Sequence, residues 1–215
     1  MPAIISASYD NYDSVKPACS QSIDTDWVFV TDTVEQARDA EQLGWRVVFE
    51  PRPQFHPNRA AKFPKCMPWR YTAETESVWI DASFRVVSDY FAEQALNYAQ
   101  PIAQFLHPWR DCALEEAHYS AELPKYADCD FSSQIAAYSR HPAHWGLWAT
   151  GVIARQHTEE IATFGILWLM ECLTHTFQDQ VSEPVVLHDV GLRPVELPGS
   201  HLTNPWLSYE GSVRH

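Results

Sequence analysis

The chain has 215 residues, 46% of them hydrophobic, which is enough to bury a core without disulfide or metal staples. Fifteen Lys and Arg against twenty-eight Asp and Glu give a formal charge of −13, which disfavours duplex nucleic acid and anionic membranes as main partners, since both select positive surfaces. Cys19, Cys66, Cys112, Cys129 and Cys172 are odd in number and form no C-x-x-C pair, which argues against a disulfide framework or a zinc ribbon; with no signal-like start and no apolar window of membrane length, a cytoplasmic protein is expected.

In chain order, Ala3 to Tyr9 reads as a first strand, left through the polar loop Asp10-Asn-Tyr-Asp13. Asp26 to Thr31 is a second strand ending at Asp32, and Thr33 to Leu43 a helix closed by Gly44. Trp45 to Phe49 is a third strand, stopped by the Pro51-Arg-Pro53 turn. A segment from Arg59 to Pro68, interrupted by Pro64, leads to the strand Ser77-Val-Trp-Ile-Asp81. Strand and helix alternating in this way predict an α/β fold with a mixed, mainly parallel central sheet flanked by helices. Pro101 to Leu106 is a further strand, Cys112 to Leu123 a helix, Trp145 to Arg155 a strand with two glycines, and His157 to Thr176 a helix capped by Thr158. Asp179 opens another helix as its N-cap, and Gly191, Pro194 and Pro198 break the rest into a tail that carries Trp206. With no internal repeat and no low-complexity linker, residues 1–215 are expected to form one domain.

The most informative stretch is Ser77-Val-Trp-Ile-Asp81-Ala-Ser83, an apolar run ending in a carboxylate with a hydroxyl two positions on. Open α/β folds bind ligands at such strand ends. Just before it, Arg59, Lys62 and Lys65 place three cations at helical spacing, and cations close to a carboxylate suggest an anionic ligand held together with a metal. Asp111 and Glu115, with Glu116 beside them, put carboxylates on one helical face. Each has a plainer reading: a strand-end cap for Asp81, a solvated basic face for the three cations, a turn residue for Asp32, and a solvated acidic helix for Asp111 and Glu115.

Arg59-Ala-Ala-Lys62-x-x-Lys65-x-x-Pro68, Val78-Trp-Ile-Asp81-Ala-Ser-Phe84, His107-Pro-x-Arg-Asp-Cys112, Thr150-Gly-Val-Ile-x-Arg155 and Asp179-Gln180, in this order, resemble a glycosyltransferase-like family. That family, formerly a domain of unknown function, includes plant proteins linked to seed mucilage as well as bacterial and phage members. The similarity runs from about Tyr9 to Trp206. It implies a GT-A type, Rossmann-like fold, with a nucleotide-binding half over about residues 1–90 and an acceptor half over about 91–215. It also implies a nucleotide-diphosphate sugar donor, a UDP-sugar first among them, and a divalent metal, manganese or magnesium.

On that resemblance Tyr9 and Asp32 contact the base and ribose, while Arg59, Lys62 and Lys65 meet phosphate or sugar oxygens. Asp81 holds the metal with Ser83 in the same turn, where GT-A enzymes commonly carry Asp-x-Asp; the Ser83 departure leaves one carboxylate there. Asp111, Asp179 and Gln180 face the transferred sugar or the acceptor. His201-Leu-Thr-Asn-Pro-Trp206 loosely resembles the tail of retaining family-8 glycosyltransferases, which favours retention and on that analogy implies His201 as a metal ligand; among ten histidines, a solvent-exposed or hydrogen-bonding His201 is the favoured reading. A lysine of that tail is replaced by Asn204, with Arg59, Lys62 or Arg214 as substitutes. Gly146 and Gly151 are expected to admit the donor or acceptor closely, and the nine tryptophans suit carbohydrate recognition. Two alternatives stand beside glycosyl transfer: a nucleotidyltransferase or nucleotide-sugar hydrolase, and a non-catalytic nucleotide- or glycan-binding protein. The acceptor is open, a modified nucleic-acid base included.

Overall fold

The computed structural model describes residues 1–52 and 55–211. Seven strands form the central sheet: β1 (Ala3–Ala7), β2 (Asp26–Thr31), β3 (Arg46–Phe49), β4 (Glu76–Ile80), β6 (Ile102–Leu106), β7 (Trp148–Gln156) and β8 (Val195–Glu196). Their order is β3-β2-β1-β4-β7-β6-β8. The first four run parallel, β7 is antiparallel to both neighbours, and β8 lies parallel to β6. This is the mixed, mainly parallel sheet flanked by helices that the sequence predicted for a GT-A type fold. All five residues of β1 are buried, as are Ser77 to Ile80 of β4, because a central parallel strand is covered on both faces. A separate ribbon pairs β5 (Phe84–Val86) with β9 (Leu207–Tyr209) in antiparallel register.

The helices are α1 (Val34–Gln42), α2 (Pro57–Ala60), α3 (Lys62–Cys66), α4 (Phe91–Tyr98), α5 (Ala113–Ala121), α6 (Phe131–Ala137), α7 (Glu159–Thr174) and α8 (Asp179–Asp189). Their boundaries follow local chemistry. Thr33 caps α1 by accepting from the Gln36 amide, and Gly44, at φ +90°, turns the chain out of it. Thr158 caps α7 by accepting from the Ile161 amide, with Glu159 and Glu160 in the first turn. Pro64 was expected to interrupt its segment. It lies instead within the first turn of α3, where no intrahelical donor is required, and the break falls at Ala61, between α2 and α3.

One core layer packs on each side of the sheet. Phe91, Ala92, Ala95 and Leu96 of α4 join Ile4, Val78 and Phe105 on one side, while Ile161, Phe164 and Trp168 of α7 join Ile5, Trp79 and Ile153 on the other. The tail is more ordered than expected: Trp206 is buried beside Phe91 and Phe105, and its Nε1 donates to Gln94 at 2.5 Å. No helix among the described residues is long and apolar enough to cross a membrane.

Candidate active site

The C-terminal ends of β1, β4 and β6 and the start of antiparallel β7 meet around a cavity of about 340 Å³. Its floor is a charge chain. Lys62 and Lys65, one turn apart on α3, point their ammonium groups at Oδ2 of Asp179, at 2.8 and 2.6 Å. Lys65 also reaches Oδ1 of Asp81 at 3.1 Å, and Trp79 Nε1 donates to the same oxygen at 2.7 Å. Thr150 donates to the other Asp179 oxygen at 3.0 Å. Burial opposes the charge on Asp179, but the two lysines outweigh it and hold the carboxyl well below the usual range. Burial likewise disfavours the Lys65 ammonium, and Asp179 and Asp81 overcome that and raise its pKa. Both groups are therefore charged at neutral pH.

Asp179 was expected to cap the last long helix. The cap position belongs to Gln178, without a side-chain bond to the helix, and Asp179, the first residue of α8, turns its carboxylate to the lysines instead. Behind α3, the buried Arg155 donates from Nη2 to the Lys65 carbonyl at 2.7 Å and so fixes the helix end that carries Lys65. Burial brings the Arg155 pKa down to about 10.

Asp81 turns a carboxylate 40% exposed into the cavity; Oδ1 is held by Trp79 and Lys65, and Oδ2 has no protein partner among the described residues. Ser83 and His201 line the same wall. Burial, with His107 adding to it, brings His201 down to about 4, so its ring is neutral at pH 7, and its buried Nδ1 has no hydrogen-bond partner. Asn204, which stands where a lysine was sought, is a turn residue: its side chain donates to the Ser200 and His201 carbonyls and accepts from the Trp206 and Leu207 amides. Arg214 lies outside the described residues.

A divalent ion fits this donor set. Asp81, with a free carboxylate oxygen, and the neutral His201 imidazole both line the cavity, and one hard oxygen with one nitrogen suits manganese better than magnesium, completed by phosphate oxygens and water. Lys65 on Oδ1 reduces the negative charge offered, so an ion here would be held less tightly than by two aspartates. A second, exposed group lies elsewhere: Asp111, Glu115 and His144 offer ligand atoms within 4.8 Å of one another, with His144 Nδ1 at 2.6 Å from Asp111 Oδ1.

The opposite wall comes from the second half of the chain. Glu116, rather than Glu115, turns inward, taking Arg110 Nε at 2.5 Å on one oxygen and Gln178 Nε2 at 3.1 Å on the other. Arg110 lies 4.0 Å over the Tyr119 ring, and Trp109 stands 70% exposed at the rim. Gln180, Phe177, Lys125 and Tyr126 complete this side.

Of the residues singled out in the sequence, Tyr9, Lys62, Lys65, Asp81, Ser83, Asp179, Gln180 and His201 line the cavity, and Asp32, Arg59 and Asp111 do not. Asp32 accepts from the Asp10 amide at 2.8 Å and pairs with Arg52 at 3.3 Å. Arg59 donates to the Leu173 and His175 carbonyls, both at 2.6 Å, and closes the C-terminus of α7. Tyr9 lines the cavity but is buried, with its hydroxyl donating to Glu50. Gly151 keeps room for Phe84, whose ring a Cβ would meet at 2.8 Å, and Gly146 for Trp148; both glycines make space for protein side chains. Thr150, Gln178 and Lys125 were not assigned from the sequence. Only Thr150 had a signal, its place in the Thr150 to Arg155 motif; Gln178 and Lys125 stand in loops without patterning.

Solved structures share this fold at low identity. The bifunctional glycosyltransferase WbbM aligns over 92% of this chain and 38% of its own, with TM-score 0.56 and 13% identity. Mouse xyloside xylosyltransferase 1 aligns over 91% of this chain and 85% of its own, with TM-score 0.53 and 8% identity. The glycosyltransferase GlyE of Streptococcus pneumoniae aligns over 90% and 44%, with TM-score 0.50 and 12% identity. The chain thus spans well under half the length of WbbM and of GlyE. No curated protein matches the sequence. Residues 4–197 match the sequence model described as TOD1/MUCI70, glycosyltransferase-like domain, and the chain belongs to that family.

Proposed function

We propose that this protein transfers a sugar from a nucleotide-diphosphate donor, a UDP-sugar first, to an acceptor hydroxyl, within one domain whose first half binds the donor and whose second half receives the acceptor. The observation that carries this reading is the Lys62, Lys65, Asp81 and Asp179 cluster on the floor of the cavity at the sheet edge. Such a cluster binds phosphate oxygens through ammonium groups that stay charged, without depending on solvent. Lys62 and Lys65 face the diphosphate, Tyr9 and Ser8 the nucleoside, and Gln180 the transferred sugar. A manganese or magnesium ion, when bound by Asp81 and His201, supplies Lewis-acid charge to the diphosphate.

Retention of anomeric configuration is the stereochemistry we favour. Asp179 and Glu116 are each tied to cations, and Asp81 is tied on one oxygen, so each is a poor base for an acceptor hydroxyl. In the retaining course the anomeric C–O bond to the β-phosphate breaks with its electron pair on the phosphate oxygen. The acceptor oxygen bonds to the anomeric carbon on the same face, and its proton passes to that phosphate oxygen.

Calorimetry of nucleoside-diphosphate sugars with and without manganese, on wild type and Asp81→Ala, tests the reading. Metal-dependent binding by wild type, weakened at least about tenfold in the variant, is expected. Unchanged donor affinity in Asp81→Ala removes the role given to Asp81, and no binding of any donor by wild type favours the non-catalytic alternative. Free nucleoside diphosphate formed only with an acceptor present separates a transferase from a hydrolase.

A further inference from the structure

Among the described residues, four cations line the cavity: Lys62, Lys65, Arg110 and Lys125. Three have a carboxylate against them, Lys62 at 2.8 Å from Asp179, Lys65 at 2.6 Å from Asp179 and 3.1 Å from Asp81, and Arg110 at 2.5 Å from Glu116. Lys125 has none within ion-pair distance among the described residues. Its ammonium stands 4.7 Å from the centroid of the Tyr126 ring, in a turn (Pro124–Tyr126) that follows α5. The turn is stiff. Pro124 occupies its first position, and buried Tyr126 is wedged against Phe131 and Phe177. Lys125 thus lines the cavity with its side chain exposed to solvent and with no carboxylate paired to it among the described residues. Partial desolvation lowers its pKa and the neighbouring Lys62 lowers it further, while Asp179, Asp81 and Glu116 attract it without touching it. A cation so placed gains from any anion that enters the cavity.

We propose that Lys125 is a catalytic residue that contacts the diphosphate of the donor together with Lys62 and Lys65. This rests on the donor reading above and names the group that meets the negative charge of the departing nucleoside diphosphate. As the anomeric C–O bond breaks, its electron pair adds charge to the phosphate oxygen, and an ammonium without a resident carboxylate is the group free to follow that charge. The paired lysines have their attraction already shared with Asp179 and Asp81.

The test is calorimetry of UDP against UMP, with GDP and GMP and ADP and AMP as further pairs, at one fixed manganese concentration, on wild type, Lys125→Met and Lys125→Arg. The Met side chain keeps the aliphatic packing on Tyr126, and thermal melts check that each variant is folded. Lys125→Met is expected to weaken the diphosphate about tenfold and to leave the monophosphate within about twofold, and Lys125→Arg to restore most of the loss. Wild-type diphosphate affinity in Lys125→Met overturns the assignment, and so does an equal loss for diphosphate and monophosphate. Both of those results leave the donor reading standing. A wild type that binds none of the six nucleotides overturns the donor reading and this assignment with it.

Discussion

Asp179 shows how one buried carboxylate organises a site. It lies at the start of α8, yet its oxygens are taken by Lys62, Lys65 and Thr150, so α3 and β7 are both tied to α8 through one side chain. Asp179→Asn keeps the shape and removes the charge, leaving two lysines with only Asp81 between them. Breaking a buried pair from one side costs about 3 kcal/mol or more. Urea unfolding is expected to show a loss of that order, and donor affinity should fall with it because the lysines repel one another out of position. At this scale much was readable in the sequence: Lys62, Lys65 and Asp81 were singled out by type and spacing and Asp179 by the family resemblance, and all four meet in the cavity. Arg59 was singled out on the same ground, and its guanidinium closes a helix instead. Spacing along α2 and α3 orders these cations but does not say which of them faces the sheet edge.

Among elements, the crossing of α3 and α7 decides where the lysines sit. Gly165 of α7 lies so close to α3 that a Cβ would fall 2.1 Å from the Cys66 carbonyl oxygen and 2.8 Å from the Trp69 ring. The first neighbour is backbone, so the helices themselves must separate. Gly165→Ala is expected to destabilise the protein by about 2 kcal/mol or more in urea melts, despite the better helix propensity of alanine, and to weaken nucleotide binding by shifting Lys65. Helix caps and strand patterns made α1, β1, β2 and α7 readable in the sequence. The tail was not. β8 and β9 are two and three residues long and acquire strand geometry only by adding to β6 and β5, whose edges lie elsewhere in the chain.

For the molecule as a whole, the interior below the site carries a titrating group that makes stability depend on pH. Glu183 of α8 is fully buried, accepts from Gln104 Nε2 at 2.7 Å, and burial pushes its pKa up to about 8 from the ordinary 4.5. The native state therefore holds a proton that the unfolded chain gives up above about pH 4.5. Stability from this group is fully present below that pH and is lost progressively as pH rises through 4.5 towards 8. Glu183→Gln keeps the hydrogen bond and removes the titration. Its stability relative to wild type should be higher at pH 8 than at pH 5, by roughly 3 kcal/mol, in denaturant melts at the two values; an equal difference at both rejects the assignment. By itself the sequence determined the alternation of strands and helices, the family resemblance, and the strand-end carboxylate with lysines before it, because periodicity, caps and residue order are local properties. Only the tertiary structure decided that Lys62 and Lys65 converge on Asp179, that Asp32, Arg59 and Asp111 stay out of the cavity, and that Lys125 lines it with no paired carboxylate among the described residues. Which charges meet is set by where the sheet brings residues more than a hundred positions apart, and no local pattern records that distance.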